Sequence, residues 1–350
     1  MTQGVSSMTK LTVRRSALTL ISLLALPLWA QAQDKTVLTV YTALEADQIK
    51  AYKAAFEQAQ PQVELKFVRD STGIVTAKLL AEKAAPQADV VWGLAATSLM
   101  LLDKEGMLMP YAPKGLASIK PNMRDPRANP TWVGMNVWSS AMCFNTVEAS
   151  KKGLPKPSSW ADLAQPVYKG QITMPHPASS GTGYLMVSAW LQMMGEAQGW
   201  AFMDALHQNI GSYTHSGSKP CKQAATGEYA VGLSFEYRAD KTKREGAPID
   251  IVLPREGLGW DMEAMAIMRT TAKPEAAKAL ADFAASRTAS ELYAHNFAVL
   301  ALPGVQEKLK HIDVDVEKQL IKNDFAWAAA QRERVLAEWS RRYEGKAEKR

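Results

Sequence analysis

The stretch VLTVYTALEADQIKAYKAAFEQAQPQVELKFV, residues 37–68, decides the fold class. It opens with the β-branched run VLTVY (37–41), continues with apolar residues at helical spacing (45–58) and ends with the alternating run VELKFV (63–68). This pattern predicts a strand, a helix and a second strand. Three further elements are predicted next: a helix over 73–84, a buried strand over 88–92 and a helix over 97–106. Strands that alternate with helices predict an α/β fold with a parallel, doubly wound sheet, whose ligands bind at the carboxyl ends of the strands.

The middle of the chain begins a second unit of the same kind. Its predicted elements are strands over 171–174, 230–235 and 249–253 and helices over 184–194 and 200–209. The run MEAMAIM (262–268) is predicted to be a strand that returns to the first unit. The two units are therefore expected to be interleaved, with the chain crossing between them more than once.

The amino terminus reads as a secretory signal peptide over residues 1–32. Lys10, Arg14 and Arg15 precede an apolar run over 17–29, and Ala30-Gln31-Ala32 is a small-residue cleavage site. The apolar run is shorter than the roughly 20 residues that a spanning helix needs. We therefore expect a periplasmic protein that is cleaved after about Ala32.

The balance of charges and the two cysteines limit the classes of function that the protein can have. The chain has 41 Lys and Arg residues, three of them in the leader, against 35 Asp and Glu residues. This near balance removes the argument for a nucleic-acid partner, which would need a basic excess. Cys143 and Cys221 form an even pair in an oxidising compartment, which favours one disulfide over two free thiols or a metal site.

Polar turns follow several of the predicted strands. Amides at a helix start carry partial positive charge, and Ser and Thr hydroxyls add donors, so such turns bind anionic oxygens. Two similar turns fall in different halves of the chain, as a ligand gripped from two sides requires. The candidate anion-binding residues are Thr42, Ser71, Thr72, Ser180, Gly181 and Thr182. The alternative for each is ordinary helix capping.

The sequence lacks three common motifs of catalytic and nucleotide-binding sites. It has no G-x-S-x-G elbow, no G-x-x-x-x-G-K-S/T phosphate loop and no H-E-x-x-H metal motif, and its five histidines are scattered. We therefore expect neither an enzyme nor a resident metal or cofactor. A secreted hydrolase stays as an alternative, although no nucleophile and base can be nominated.

Acidic and aromatic side chains follow two later strands. Glu236 and Tyr237 come directly after the strand at 230–235, and Asp261 precedes the returning strand. An acid and a ring at a strand end can hold a cation. The alternative is a surface ion pair beside a half-buried tyrosine. Trp92 is either a core residue or a ring in the cleft.

Seven runs resemble one family: VYTALEADQIKAYKAAFE, DSTGIVTAKLLAEK, ADVVWGLAATSL, ASSGTGY, THSGSKPCKQAA, SFEYRA and EGLGWDMEAMAI. Over about residues 36–303 the chain is similar to periplasmic solute-binding proteins of ABC importers. More narrowly it resembles binding proteins for 2-aminoethylphosphonate, in the branch that includes ferric-ion and thiamine binders. The resemblance implies a two-lobed type II fold with a hinge crossed twice, a monomer, and delivery of a ligand to a membrane permease and its ATPase without chemistry.

The resemblance also implies boundaries and roles. One lobe is expected over 33–135 and 263–303, and the other over 136–262 and 304–350 with the C-terminal helices. The phosphonate is expected at the two polar turns, and the amine at Glu236, with Glu45 or Asp261 as alternatives. Tyr237 or Trp92 is expected to pack on the carbon chain.

Other ligands stay open at this point. Ferric-ion binders of this branch carry adjacent tyrosines where this chain has Glu236 and Tyr237, which counts against iron. A ferric ion, a phosphate ester, thiamine and a polyamine are the alternative ligands.

Overall fold

A single path of hydrogen-bonded strands organises the computed structural model, which describes residues 1, 2, 4 and 34–349. Contacts divide the chain after Asp34, and Lys35 onward is one compact unit. The strands of the described part are β1 (Thr36–Thr42), β2 (Val63–Arg69), β3 (Val90–Ala95), β4 (Leu108–Met109), β5 (Val133–Asn145), β6 (Ile172–Pro175), β7 (Ile210–Thr214), β8 (Val231–Phe235), β9 (Ile249–Val252) and β10 (Trp260–Met268). They pair in the order β2-β1-β3-β10-β5-β8-β6-β7, with β4 beside β10 and β9 beside β5.

Helices connect and cover these strands. They are α1 (Ala46–Ala59), α2 (Thr72–Ala81), α3 (Ala96–Lys104), α4 (Thr146–Lys152), α5 (Gly181–Met194), α6 (Glu196–Asn209), α7 (Lys219–Thr226), α8 (Glu236–Arg244), α9 (Pro274–Ala284), α10 (Arg287–Ala294), α11 (Val316–Gln319) and α12 (Phe325–Tyr343). Short 3₁₀ helices lie at Leu116–Ser118, Pro121–Met123, Ala161–Ala164, Pro166–Tyr168 and Glu344–Lys346.

The opening strand-helix-strand prediction is confirmed. β1 pairs in parallel with β2 from Thr36 opposite Val63 to Thr42 opposite Arg69, and with β3 on its other side. Parallel neighbours need a crossover helix, which α1 and α2 provide. The helices α2 and α5 therefore both begin at carboxyl ends of strands, at Thr72 after β2 and at Gly181 after β6.

The predicted parallel pairing is confirmed for β1, β2 and β3, whereas the strands that connect the two sets are antiparallel to their neighbours. β10 runs antiparallel to both β3 and β5, and β5 runs antiparallel to β8 and β9. The reason is that β5 and β10 carry the chain from one set of strands to the other and back, so they enter the sheet from the opposite end. A returning strand over 262–268 is confirmed as part of β10.

β5 joins the two sets of strands. Its residues from Val133 to Ser139 pair with β10, and those from Ser140 to Asn145 pair with β8 and β9. Every residue of β5 is buried. The chain thus passes from β1–β3 to β6–β8 through β5 and returns through β10, as expected for a hinge crossed twice.

The segment after β10 contacts both the connecting strand β5 and the helix α5. Val299 accepts a backbone hydrogen bond from Val137 of β5 at 2.9 Å, whereas Ala328 of α12 accepts one from the Tyr184 hydroxyl of α5 at 2.5 Å. The lobe boundaries at residues 135, 262 and 303 stay a prediction.

The expected signal peptide lies outside the described residues for nearly its whole length. No helix in the described part of the chain combines the length and the hydrophobicity that a membrane crossing requires.

The predicted disulfide is confirmed: Cys143 of β5 and Cys221 of α7 are bonded, with their Cα atoms 5.3 Å apart. Both are buried in a small cluster between β5 and the helices α7 and α8. The bond closes a loop with a sequence separation of 78 residues.

The variant with both Cys143→Ala and Cys221→Ala is expected to lose about 4 kcal/mol of free energy of unfolding, because a bond that closes so long a loop restricts the unfolded chain. Urea denaturation of oxidised wild type and variant measures the difference. Under reducing conditions the two proteins should differ by much less. An unchanged free energy of unfolding under oxidising conditions would contradict this role for the bond.

Candidate functional site

A cavity of about 50 Å³ lies where the carboxyl ends of the strands meet the starts of α1, α2 and α5; we call it the cleft cavity. Six of the predicted site residues line it, namely Glu45, Ser71, Thr72, Ser180, Gly181 and Thr182. The other residues that line it are Ala43, Gln48, Arg69, Gly93, Ala95, Trp138, Ser216, Gly217, Phe235 and Glu263. A volume of this size holds a few water-sized groups, so it suits a small ligand.

The two polar turns singled out in the sequence touch each other. The backbone amide of Gly73 in α2 donates to the carbonyl of Ser179 at 2.9 Å. A Cβ placed on Gly181 would lie 2.6 Å from the Thr72 hydroxyl oxygen. Only glycine allows α5 to begin this close to α2, because any side chain at position 181 would overlap Thr72.

The helix starts at this contact favour negative charge. The first-turn amides of a helix have no partner within the helix, and they carry its positive dipole end. Ser180 is the N-cap of α5, and its hydroxyl accepts from the amide of Gly183 at 3.4 Å, whereas Ser71 at the N-cap of α2 makes no such bond. Amides and hydroxyls from both turns are therefore available to an anion in the cleft cavity.

A third turn, between β7 and α7, also lines the cleft cavity beside the starts of α2 and α5. Ser216 and Gly217 line the cavity, and a Cβ on Gly217 would lie 2.5 Å from the Thr182 hydroxyl oxygen. The neighbouring His215 forms a 3.1 Å contact from its Nε2 to the Oδ1 of Asp70, which follows β2. The α2 turn is thus held by residues from two separate segments of the later chain.

Three charged residues line the cleft cavity in the described part of the chain. Glu45 accepts from the guanidinium of Arg238 at 2.8 Å and lies 3.8 Å from that of Arg69. Glu263 of β10 accepts from the Asn136 amide at 3.1 Å, and no ion pair joins it to any described Lys, Arg or His. Burial raises the pKa of Glu263 to about 8, and the nearby charge of Glu45 adds to the shift.

Two predicted ligand residues are held within the protein instead of lining the cavity. The Thr42 hydroxyl accepts from the amide of Leu44 at 3.1 Å and closes the turn after β1. Trp92 is fully buried and donates to the Tyr293 hydroxyl at 3.2 Å, with Tyr52 and Phe283 packed around its ring. Trp92 is therefore a core residue in this structure.

Two predicted carboxylates also bind backbone or side-chain donors away from the cavity lining. Glu236 is 1% exposed and accepts from the amide of Ser139 at 2.6 Å. Asp261 accepts from the Thr97 hydroxyl at 2.6 Å. Burial raises the pKa of Glu236 to about 8 and that of Asp261 to about 6. Neither carboxylate lines the cleft cavity.

Tyr237 connects α8 to α1. Its hydroxyl donates to Asp47 at 2.7 Å, and Arg238 next to it is the partner of Glu45. Lys241, one turn further on, also pairs with Asp47. The segment predicted to hold the ligand amine therefore ties two helices from distant parts of the chain together.

Sequence reasoning missed several lining residues. Glu263 had a usable signal, since it is an isolated acid within the apolar run MEAMAIM. Gln48 had another, because a glutamine three residues after an acidic N-cap forms a capping box with Glu45. Arg69 and Trp138 gave no signal, because a charged residue at a strand end and a ring inside a strand are both common.

In the described part of the chain no group of three or more His, Cys, Asp or Glu side chains is arranged to hold a metal ion. The cavity instead combines helix starts, hydroxyls and two carboxyl groups.

Residues 85–327 match the family described as bacterial extracellular solute-binding protein. The chain belongs to that family. It is 30% identical over 291 residues to an uncharacterized protein of Haemophilus influenzae, covering 79% of this chain and 82% of the relative. It is 25% identical over 240 residues to the probable ABC transporter periplasmic-binding protein y4fP of Sinorhizobium fredii, covering 67% of this chain and 66% of that one.

A solved structure of the same fold is the periplasmic binding protein AfuA from Actinobacillus pleuropneumoniae with fructose-6-phosphate bound. It matches with a TM-score of 0.83 and 29% identity, covering 89% of this chain and all of that one (100%). The predicted type II periplasmic-binding-protein fold is thus confirmed. The family places the protein outside the cytoplasm, as a solute-binding component that works with an ABC permease and ATPase.

The Glu236→Gln variant is expected to gain stability over wild type as the pH rises from about 5 to about 8. In the folded protein burial keeps Glu236 protonated up to about pH 8, whereas in the unfolded chain it ionises near its usual 4.5. Wild type therefore loses up to about 1.4 kcal/mol per pH unit over this window from this one group. Urea unfolding of both proteins across the pH series measures the difference, and a difference that does not change with pH would contradict the buried, protonated state.

Proposed function

We propose that the protein captures 2-aminoethylphosphonate in the cleft cavity and delivers it to an ABC importer without chemical change. The observation that carries the proposal is the meeting of two helix starts and their hydroxyls at a cavity that also contains a carboxyl group without a cationic partner. A phosphonate matches the first feature, and an ammonium group matches the second.

The contact between α2 and α5 supports binding of the ligand's phosphonate group there. Ser71 and Thr72 on one side and Ser180, Gly181 and Thr182 on the other offer amides and hydroxyls to the same small volume. Charge-assisted hydrogen bonds from such donors contribute about 1.5 to 3 kcal/mol each. Several of them offset the cost of removing a phosphonate from water. The fructose-6-phosphate bound to AfuA also carries a phosphoryl group.

Glu45 and Glu263 are the two acids in the cavity lining that could bind the ligand's ammonium group. Arg238 already neutralises Glu45, so the unpaired Glu263 is the better partner for an ammonium group. This assignment replaces the expected role of Glu236, whose buried carboxyl group accepts from the Ser139 amide and does not line the cavity.

A sugar phosphate is the second candidate, and the similarity to AfuA favours it. A sugar phosphate would use the same helix starts. It offers hydroxyls but no cation, however, and so would leave Glu263 protonated instead of pairing with it.

We further propose that the lobes over 33–135 with 263–303 and over 136–262 with 304–350 close around the ligand. The donors at the cavity come from both ranges, Ser71 and Thr72 from the first and Ser180 to Thr182 from the second. A ligand that contacts both lobes only when they are closed shifts the population towards the closed state.

Titration calorimetry against a ligand series tests the ligand. We expect 2-aminoethylphosphonate to bind at least about tenfold more tightly, or 1.4 kcal/mol, than inorganic phosphate, phosphonoacetate, fructose 6-phosphate or ferric citrate. Tighter binding of fructose 6-phosphate would assign the site to sugar phosphates. Heat from ferric citrate alone would assign it to iron.

The Gly181→Ala variant is expected to weaken 2-aminoethylphosphonate binding by tenfold or more, about 1.4 kcal/mol. The added methyl group would overlap the Thr72 side chain and hold the two helix starts apart. Gly345→Ala is the matched control, because a Cβ there meets no atom within 4 Å. Equal affinities for both variants would show that close approach of α5 to α2 is not needed for binding.

A further inference from the structure

Glu263 occupies an unusual position for an acid. It lies within β10, between Ala95 of β3 and Asn136 of β5, where the surrounding strand residues are almost all apolar and buried. A carboxyl group within a sheet is costly to bury unless a partner satisfies it. The side chain nevertheless lines the cleft cavity and is only half-buried.

The charges around the cavity leave Glu263 as the one lining acid of the described chain without a cation. Glu45 has Arg238 at 2.8 Å, and Arg69 is turned towards Glu45 and the Leu44 carbonyl. Asn136 is the only described side chain that donates to Glu263. Its amide serves either state of the acid, because it can donate to an ionised carboxylate or, turned over, accept from a protonated one.

Two polar atoms at or beside the cleft cavity also have no hydrogen-bond partner among the described residues. The Oε1 of Gln48 accepts from the amide of Glu45 at 2.9 Å, which fixes the side chain, while its Nε2 has no acceptor. The Oδ1 of Asn136 has no donor. Gln48 is 3% exposed and lines the cleft cavity, so its Nε2 is placed to donate to a ligand bound there.

We infer that Glu263 holds the ammonium group of the ligand and releases one proton to solvent as it does so, which makes it the residue that selects amino-phosphonates over phosphonates without an amine. This inference rests on the proposed function. The O–H bond of the neutral carboxyl breaks, its proton passes to the buffer, and the carboxylate pairs with an ammonium group that stays charged.

The groups that face Glu263 affect whether its carboxyl group is ionised. They are Glu45 before α1, Tyr52 of α1, Glu236 of α8 and Tyr293 of α10. Of these four, only the charge of Glu45 opposes ionisation of Glu263 near pH 7, because burial keeps the two phenols and Glu236 neutral there. Burial acts in the same direction and raises the pKa of Glu263 to about 8. An ammonium group reverses this balance, since an opposite charge at contact distance favours the ionised form.

Calorimetry of the full-length exported protein at about pH 7, in buffers of different ionisation enthalpy, tests the inference. Ethylphosphonate is the control ligand, because it has the phosphonate and the two-carbon chain but no amine. We expect wild type to release close to one proton more than Glu263→Gln when 2-aminoethylphosphonate binds, and no more than Glu263→Gln when ethylphosphonate binds. Each comparison keeps the ligand the same, so the ionisation of its phosphonate group cancels.

The Glu263→Gln variant adds a second readout. We expect it to lose the extra proton release and to bind 2-aminoethylphosphonate at least about thirtyfold more weakly, or 2 kcal/mol, while ethylphosphonate affinity changes less than threefold. Glu236→Gln is the matched control, since Glu236 is a buried acid that does not line the cavity. It should keep both the proton release and the preference for the amine.

The possible failures are distinct. Binding of 2-aminoethylphosphonate with no more proton release by wild type than by Glu263→Gln, or equal losses of affinity for both ligands in Glu263→Gln, would overturn the role of Glu263 alone. No binding of 2-aminoethylphosphonate by wild type would overturn the proposed function, and the inference with it.

Discussion

The hydrogen bond from the Gly73 amide to the Ser179 carbonyl, with the contact between Thr72 and Gly181 beside it, is the constraint on which the site depends. It brings the starts of α2 and α5 together although they lie more than a hundred residues apart in the chain. Each helix start alone would be an ordinary helix end. In contact, they bring the amides and hydroxyls of two helix starts to one small volume, and that volume is the cleft cavity.

Local patterns in the sequence predicted what local physics determines. The period-two run at β1 and the helical spacing of α1 gave the strand-helix-strand order, and the polar turns after β2 and β6 are helix starts as the sequence predicts. Cys143 and Cys221 were paired correctly because two cysteines in an exported chain leave few other choices. The turns were also expected to act together, and the structure places them in contact.

Packing between distant segments of the chain determines the positions of those residues whose place in the structure differs from the sequence prediction. Trp92 and Glu236 follow patterns that suit a cleft, but Tyr293 and the Ser139 amide, both distant in sequence, occupy their polar atoms. Glu263 was overlooked for the converse reason. Its strand looks like core, and only the pairing of β10 between β3 and β5 brings its carboxyl group to the cavity. The antiparallel direction of β10 likewise follows from the route of the whole chain.

A crystal structure of the protein with 2-aminoethylphosphonate bound would test the central claim most directly. The account predicts the phosphorus atom between the starts of α2 and α5, with its oxygens in hydrogen-bond contact with Thr72 and with Gly181 or Thr182, and the ligand nitrogen beside Glu263. A phosphonate bound elsewhere, or the nitrogen placed at the helix starts with the phosphonate beside Glu263, would contradict it.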